Sequence, residues 1–238
     1  FLRNSLMMII RQIPNLITLG NLCFGLAGIY FAFGGEFITA SYCIWIAAVL
    51  DFFDGFVSRL LKVQSPIGAQ LDSLADVITF GVLPAFLCFH MINSLGGEKY
   101  LAVAALIIAP LSAYRLAKFN VDTTQTHSFS GLPTPACAFF VSGIPFIVAS
   151  EGLLSGLFSN PLSIAIIAVL LALFLVLPVR LMAFKFKSTS IKDNWLIYLY
   201  FVSAIILFAI FSYSAIPLVV VLYILLSVLF YREKPAIN

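Results

Sequence analysis

Residues 51–76 read DFFDGFVSRLLKVQSPIGAQLDSLAD and place four aspartates, Asp51, Asp54, Asp72 and Asp76, near the facing ends of two apolar runs. At 100° per residue, Asp51 and Asp54 lie about 60° apart on one helix, and Asp72 and Asp76 lie about 40° apart on the next. The connection between the two runs is short, so the helices are expected to be antiparallel neighbours. The four carboxylates are therefore predicted to converge at one depth.

The composition of the chain excludes a soluble globular domain. Of its 238 residues, 62% are hydrophobic and only 10% are charged, which leaves too little polar surface for a protein of this size in water. Apolar runs of about 20 residues, long enough to cross roughly 30 Å of hydrocarbon, recur along the whole sequence. The predicted fold class is an all-α polytopic membrane protein, with residues 1–238 forming a single membrane domain.

Polar, glycine and proline clusters divide the chain into about eight predicted transmembrane helices with both termini in the cytoplasm. In this arrangement every Lys and Arg except Lys99 lies at a cytoplasmic end or loop, as the positive-inside rule expects. The aspartates then face the cytoplasm from an inner or plasma membrane. A net charge of +3 requires no nucleic acid as a partner. The predicted spans lie near 14–33, 38–60, 67–92, 99–118, 132–150, 161–184, 195–212 and 216–231.

The aspartates predict a site for divalent cations. Four carboxylates near the hydrocarbon region repel one another unless cations or shared protons neutralise them. Mg²⁺ prefers oxygen ligands and completes its coordination with water and substrate phosphates, so Arg59 beside the cluster suits a phosphate-bearing substrate. Gly55 and Gly68 lack a Cβ and would let a bulky ligand approach the helices. The predicted cofactor is Mg²⁺ or Mn²⁺, as two ions.

Other interpretations of the charged residues remain open. The acids could pair with Arg59, Lys62, Arg115 and Lys118 as interfacial salt bridges, or they could belong to a cation or proton transporter. A transporter is expected to carry acids near the midplane of the membrane and often has internal repeats. These acids lie at one edge, and the sequence has no repeat, which makes the transporter the more remote alternative.

The pattern from Asp51 to Asp76 resembles the signature of the CDP-alcohol phosphotransferases, D-x-x-D-G-x-x-A-R-x(8)-G-x-x-x-D-x-x-x-D. It differs where Ser58 replaces the usual alanine. The resemblance implies that all four aspartates bind metal and that Asp76 also serves as the catalytic general base. It further implies a homodimer, and it assigns the binding of CDP to Thr18, Asn21, Gly55, Ser58, Arg59 and Gly68.

Three further motifs resemble the branch of that family that uses L-serine: PNLITLGN at 14–21, RLAKFN at 115–120 and FSGLPTPA at 129–136. The resemblance implies direct transfer of a phosphatidyl group from CDP-diacylglycerol, a membrane lipid, to L-serine, with release of CMP. Glycerol 3-phosphate or an inositol compound is the alternative acceptor. Thr18 and Asn21 could instead be the polar start of the first span. The predicted serine-binding residues are Arg115, Lys118, Asn120, Ser130 and Gly131.

Overall fold

The computed structural model describes residues 2–121, 129–152, 154–182 and 194–230. This part of the chain is helical except for one two-stranded ladder and the turns between elements. The helices are α1 (Leu2–Phe33), α2 (Phe37–Leu60), α3 (Pro66–Asp76), α4 (Leu83–Ser94), α5 (Lys99–Ala105), α6 (Ile108–Val121), α7 (Thr134–Ala149), α8 (Ser155–Phe158), α9 (Pro161–Val176), α10 (Trp195–Phe211) and α11 (Ala215–Phe230). A π-helical turn, Val77–Val82, joins α3 to α4, and a 3₁₀ turn, Ser212–Ser214, joins α10 to α11.

The prediction of a helical protein with apolar helices of membrane-spanning length is confirmed. Within the described residues, five helical segments are long and apolar enough to cross a membrane, and the last of them contains both α10 and α11. Two further apolar helices, α7 and α9, are shorter. Each of the eight predicted spans thus coincides with a helical segment. The five long segments are Ile10–Phe33, Phe37–Leu60, Pro66–Ser94, Lys99–Val121 and Trp195–Phe230.

The sixth predicted span needs a correction at its carboxyl end. It was expected to continue to residue 184, but the helix ends at Val176, and Leu177 is extended with a ψ of 139°. Pro178 explains the difference, because a proline disfavours the helical conformation of the residue before it. Arg180–Leu181 is instead a strand, β2, and residues 183–184 lie outside the described part of the chain.

The segment Pro66–Ser94 lies at the centre of the helix bundle. Of its most apolar stretch, 61% is buried, compared with 28–33% in the other four candidate spans. Phe80, Leu83 and Leu87 are fully buried there, and α4 packs against α1, α5, α7 and α9. Burial from all sides fixes the position of this segment, so its aspartates occupy a defined place relative to the surrounding helices.

The π-helical turn begins directly after Asp76. In this turn the N–H of Leu83 donates to the carbonyl of Ile78, which is a wider ring than that of an α-helix. Pro84 is the local cause, because its nitrogen carries no hydrogen and its ring crowds the carbonyl of Phe80. Such turns occur frequently at functional sites.

Neighbouring helices approach the π-helical turn very closely. A Cβ added to Gly25 of α1 would lie 2.5 Å from Oγ1 of Thr79, and one added to Gly81 would lie 2.9 Å from Cβ of Ser112 in α6. Both distances are too short for real side-chain contacts. The glycines therefore allow α1 and α6 to pack against the chain immediately beyond Asp76.

A short antiparallel ladder orders the chain before α7. Strand β1 (Phe129–Ser130) pairs with β2, with Ser130 opposite Arg180. The N–H of Gly131 then donates to the carbonyl of Val179 at 2.9 Å. The turn that leads into α7 is thereby fixed against the end of α9.

Gly131 itself can be tested. Its φ of +82° is in the left-handed region, and an added Cβ would collide with the carbonyl oxygen of Leu175. Gly35, with a φ of +79° but open space around it, is the matched control. We expect Gly131→Ala to lower the thermal unfolding midpoint in detergent clearly more than Gly35→Ala, whose backbone strain alone is about 1 kcal/mol. Equal midpoints for the two variants would contradict the close packing at Leu175.

Candidate active site

Three of the four predicted carboxylates meet in the structure. Asp51 of α2 and Asp72 and Asp76 of α3 each place one carboxylate oxygen within 4.8 Å of the others. Asp51 lies at hydrogen-bonding distance of both partners. The approach depends on a tight connection in which the hydroxyl of Ser65 accepts from the N–H of Gly68 at 3.0 Å and caps α3.

Asp54, the fourth aspartate, has a different partner. Its side chain is buried with 6% of its surface exposed, and one of its oxygens accepts a hydrogen bond from Oγ1 of Thr18 at 2.5 Å. Asp54 therefore ties α2 to α1, one helical turn from Asp51. Helical angles in the sequence gave the face on which Asp54 lies but not the neighbour that it contacts.

The three clustered carboxylates fit a divalent cation. At a separation of 4.8 Å, two carboxylate charges repel by about 3 kcal/mol with an effective dielectric constant near 20. Among the described residues, Oδ1 of Asp76 is buried without a hydrogen-bond partner. A cation that binds oxygen ligands would reduce the repulsion and would also give the unpaired oxygen a partner. The interfacial salt-bridge interpretation lacks support, because no ion pair joins these carboxylates to Arg59 or Arg115 within the described chain.

The residues predicted to bind CDP differ in their burial and in their contacts. Asn21, one turn after Thr18, is fully buried, and neither atom of its amide has a hydrogen-bond partner among the described residues. A Cβ on Gly68 would lie 3.1 Å from Oδ1 of Asn15, so this glycine brings α3 close to α1.

The segment Gly55–Arg59 lies at the exposed side of the cluster. A Cβ on Gly55 would lie 3.4 Å from Nη1 of Arg59, so the guanidinium group covers this glycine at ordinary contact distance. Oγ of Ser58 donates to the carbonyl of Gly55 at 3.4 Å, within the helix itself. Arg59 is exposed and interacts electrostatically with Asp54.

Of the residues predicted to bind serine, Arg115 interacts electrostatically with Asp76, and Asn120 contacts α3. Arg115 is partly buried in α6, and its Nε is buried without a partner in the described chain. Nδ2 of Asn120 donates to Oγ of Ser73 at 2.8 Å and so fastens α6 to α3. Lys118 is exposed. Gly131 forms the turn described above, and the side chain of Ser130 lies outside the described part.

Two buried hydroxyls were missed by sequence reasoning. Ser112, one turn before Arg115, and Thr134, at the start of α7, are both fully buried, and neither hydroxyl has a partner among the described residues. An unpaired buried hydroxyl costs about 1–3 kcal/mol, so these groups indicate a polar occupant or ordered water. Thr134 could have been found from its place in the motif at 129–136. Ser112 had no such signal, because it is a single polar residue in an apolar helix.

An apolar cavity of about 420 Å³ is lined in part by α2, the helix that also carries Asp51. Pro133 of its lining precedes Thr134, and Trp45 lies about 9 Å along the axis of α2 from Asp51. A polar cluster and an apolar cavity in one bundle suit a ligand with a charged head and hydrocarbon. Further lining residues are Ala136, Phe139, Met182 and Tyr223.

Fold and site together define a helical membrane protein that has a carboxylate centre of the type that holds divalent cations and, in the same bundle, an apolar cavity. The chain belongs to the CDP-alcohol phosphatidyltransferase family, whose model matches residues 11–178. The match includes all four aspartates and Arg115. It ends before α10 and α11, so these two helices lie outside it.

Several curated relatives of the chain have one and the same name. The chain is 38% identical over 130 residues to the CDP-diacylglycerol–serine O-phosphatidyltransferase of Helicobacter pylori strain 26695, covering 54% of each chain. Proteins of the same name from Bacillus subtilis and Methanocaldococcus jannaschii are 35% identical over 126 residues and 31% identical over 141 residues. Those alignments cover 52% and 59% of this chain and 70% and 64% of the relatives. The aligned part thus spans about half the length of the Helicobacter pylori protein.

The hydrogen bond between Thr18 and Asp54 can be tested by metal binding. Thr18→Val keeps the shape of the side chain but removes the donor, so we expect the dissociation constant for Mn²⁺, measured by electron paramagnetic resonance, to rise about tenfold. Thr18→Ser, which retains the hydroxyl, is the control and should bind as the unchanged protein does. If Thr18→Val binds Mn²⁺ normally, Asp54 does not depend on α1 for its role in the metal site.

Proposed function

We propose that this protein transfers the phosphatidyl group of CDP-diacylglycerol to the hydroxyl of L-serine, giving phosphatidylserine and CMP. The observation that carries the proposal is the meeting of Asp51, Asp72 and Asp76 at one point, together with the partly buried Arg115, which interacts electrostatically with Asp76. Membership of the CDP-alcohol phosphatidyltransferase family and the names of the relatives support the same reaction.

The head and the acyl chains of the donor lipid bind in different parts of the site. Its CDP head binds at the polar cluster, where Thr18, Asn21, Gly55, Ser58, Arg59 and Gly68 surround the diphosphate and cytidine. Support for Asn21 comes from its unpaired amide, which offers both a donor and an acceptor in a buried place. An acyl chain can enter the apolar cavity, whose lining is rich in aromatic and aliphatic side chains.

The aspartates have two tasks in this reaction. Asp51, Asp54, Asp72 and Asp76 hold Mg²⁺ or Mn²⁺, as two ions, which when bound draw charge from the phosphorus under attack and stabilise CMP as the leaving group. Asp76 also accepts the proton of the serine hydroxyl as the new P–O bond forms and the bond to CMP breaks. Support comes from its buried and unpartnered Oδ1, which is available for such a proton.

The acceptor is oriented by a fixed cation. The planar guanidinium group of Arg115 binds the serine carboxylate through two hydrogen bonds. The serine hydroxyl, rather than its amine, then points to the phosphorus. The hydroxyls of Ser112 and Thr134 offer further hydrogen bonds in the buried part. Lys118, Asn120, Ser130 and Gly131 form the outer rim of this pocket. A phosphorylated acceptor such as glycerol 3-phosphate or an inositol phosphate favours more than one buried cation, and free inositol has no anionic group for Arg115.

We also propose how the protein lies in its membrane. The eight spans place both termini and the active site on the cytoplasmic side of an inner or plasma membrane, in accord with the distribution of Lys and Arg. CDP-diacylglycerol then reaches the site from the bilayer and serine from the cytoplasm. The working unit is a homodimer, as the family resemblance implies.

The reaction can be tested with the purified chain in liposomes. CDP-diacylglycerol labelled in its acyl chains is supplied with Mg²⁺ or Mn²⁺ and, in separate samples, L-serine, glycerol 3-phosphate or myo-inositol. We expect labelled phosphatidylserine and an equal amount of CMP with L-serine, and no product after chelation of the divalent ions. Preference for another acceptor would contradict the assignment of serine, and full activity under chelation would contradict the metal site.

Asp76→Asn is the matched inactive variant in the same assay. It keeps the size of the side chain but removes the base, so turnover should fall at least about a hundredfold while CDP-diacylglycerol still binds. Near-normal release of CMP by this variant at saturating serine would disprove the role of Asp76 as the base.

Arg115→Lys tests the acceptor pocket. The ammonium of lysine keeps the charge but loses the bidentate geometry, so we expect the KM for serine to rise about tenfold or more, with a much smaller change in the KM for CDP-diacylglycerol. Lys99→Arg, an exchange between the same residue types at the exposed start of α5, is the control. If both KM values rise together for Arg115→Lys, Arg115 serves the donor or the fold instead of serine.

A further inference from the structure

We propose that Trp45 limits the length of the acyl chain that the apolar cavity accepts, and that it is thereby a specificity-determining residue for the donor lipid. The inference rests on the proposed function, because it takes CDP-diacylglycerol as the donor. It also goes beyond the family match, which ends at residue 178, because the cavity is lined by α10 and α11 as well as by α2 and α7.

Helices α2 and α7 run antiparallel along the cavity. Nε1 of Trp45 in α2 donates to Oγ of Ser142 in α7 at 2.8 Å. One turn earlier in α2, the ring of Tyr42 lies 5.6 Å from the ring of Phe146, which is one turn later in α7. Because residue numbers fall along α2 as they rise along α7, the two helices point in opposite directions.

This pairing gives the depth of the two ends of the cavity. Ala136 of the lining precedes Ser142 by six residues, and Asp51 follows Trp45 by six residues. The start of α7 therefore lies at about the depth of the carboxylates, and Trp45 lies about 9 Å further into the bundle. A lipid whose head binds at the carboxylates has chains that begin at this depth, so one chain can follow the cavity towards Trp45.

Trp45 is held firmly at the end of the cavity that is further from the carboxylates. Its ring stacks on that of Phe146, with 5.2 Å between the centroids and 16° between the planes, and lies 5.5 Å from the ring of Tyr213. At the same level, a Cβ on Gly143 would collide with the ring of Pro217, so α7 and α11 leave no space between them there. The indole therefore has little freedom to move away from a chain that reaches it.

The polar groups of two lining side chains are satisfied within the protein. The N–H of Trp45 is bound by Ser142, and the hydroxyl of Tyr223 donates to the carbonyl of Met182 at 3.0 Å. Aliphatic and aromatic side chains form much of the remaining wall, including Phe139, Phe208, Val219 and Val220. Such a wall favours hydrocarbon over water, because water would find few hydrogen-bond partners in it.

Trp45→Ala tests the limit on chain length. The purified chain is supplied with L-serine and with CDP-diacylglycerols whose acyl chains range from lauroyl to arachidoyl, and kcat/KM is measured for each. We expect the preferred chain to become the next longer one of the series. Its kcat/KM should rise about tenfold relative to that of the original optimum, because the space left by the indole can bury about two more methylenes.

Trp195→Ala is the matched control, since Trp195 is exposed at the start of α10 and is not among the residues that line the cavity. It should keep the chain preference of the unchanged protein. Val219→Phe enlarges a lining side chain and should shift the preference to shorter chains, whereas a general loss of stability would not give shifts in opposite directions. The inference is overturned if Trp45→Ala keeps the original preference or if Trp195→Ala shifts it equally.

A binding measurement without turnover separates this inference from the proposed function. CDP-diacylglycerol with a diazirine at the end of one acyl chain is cross-linked to the protein in detergent micelles, and the labelled residues are identified by mass spectrometry. We expect label at Trp45 and Val219 that excess CDP-diacylglycerol removes and excess phosphatidylcholine does not. Labelling outside the cavity, or equal removal by both lipids, would overturn the inference. A chain that is labelled as expected but makes no phosphatidylserine would instead refute the proposed function alone.

Discussion

The mutual repulsion of the carboxylates of Asp51, Asp72 and Asp76 is the constraint on which the rest of this structure depends. Three acids within 4.8 Å of one another, on helices that contribute to a membrane bundle, are stable only if cations or shared protons offset their charge. The surrounding protein is arranged accordingly. Thr18 satisfies the adjacent Asp54, and Arg115 supplies a compensating positive charge beside Asp76.

Close backbone packing gives these groups their fixed places. The π-helical turn after Asp76 and the glycines next to it let α1 and α6 approach the central segment more closely than side chains at those positions would permit. Asn21 lies on α1, and Ser112 and Arg115 lie on α6. The same contacts that stabilise the bundle therefore fix the positions of polar groups on two neighbouring helices that have no hydrogen-bond partner among the described residues.

The site contains both a polar cluster and an apolar cavity, which explains why it lies in a membrane protein. Buried polar atoms without partners lie on the helices that meet at the cluster, whereas the cavity is lined by aromatic and aliphatic residues. A ligand with both a charged head and hydrocarbon chains satisfies both sides, because its head provides the missing hydrogen bonds and its chains fill apolar space. A water-soluble donor would leave the cavity without an equivalent occupant.

The sequence by itself determined the helical membrane fold, the approximate helix positions and the carboxylate pairs, because hydrophobic length and helical spacing are local properties of the chain. It also pointed to Arg115 through a motif. Only the tertiary structure decided that Asp54 accepts a hydrogen bond from Thr18, that β1 pairs with β2 and that Tyr223 donates to the carbonyl of Met182. These contacts join residues far apart along the chain, and their geometry follows from packing across helices, which no local pattern records.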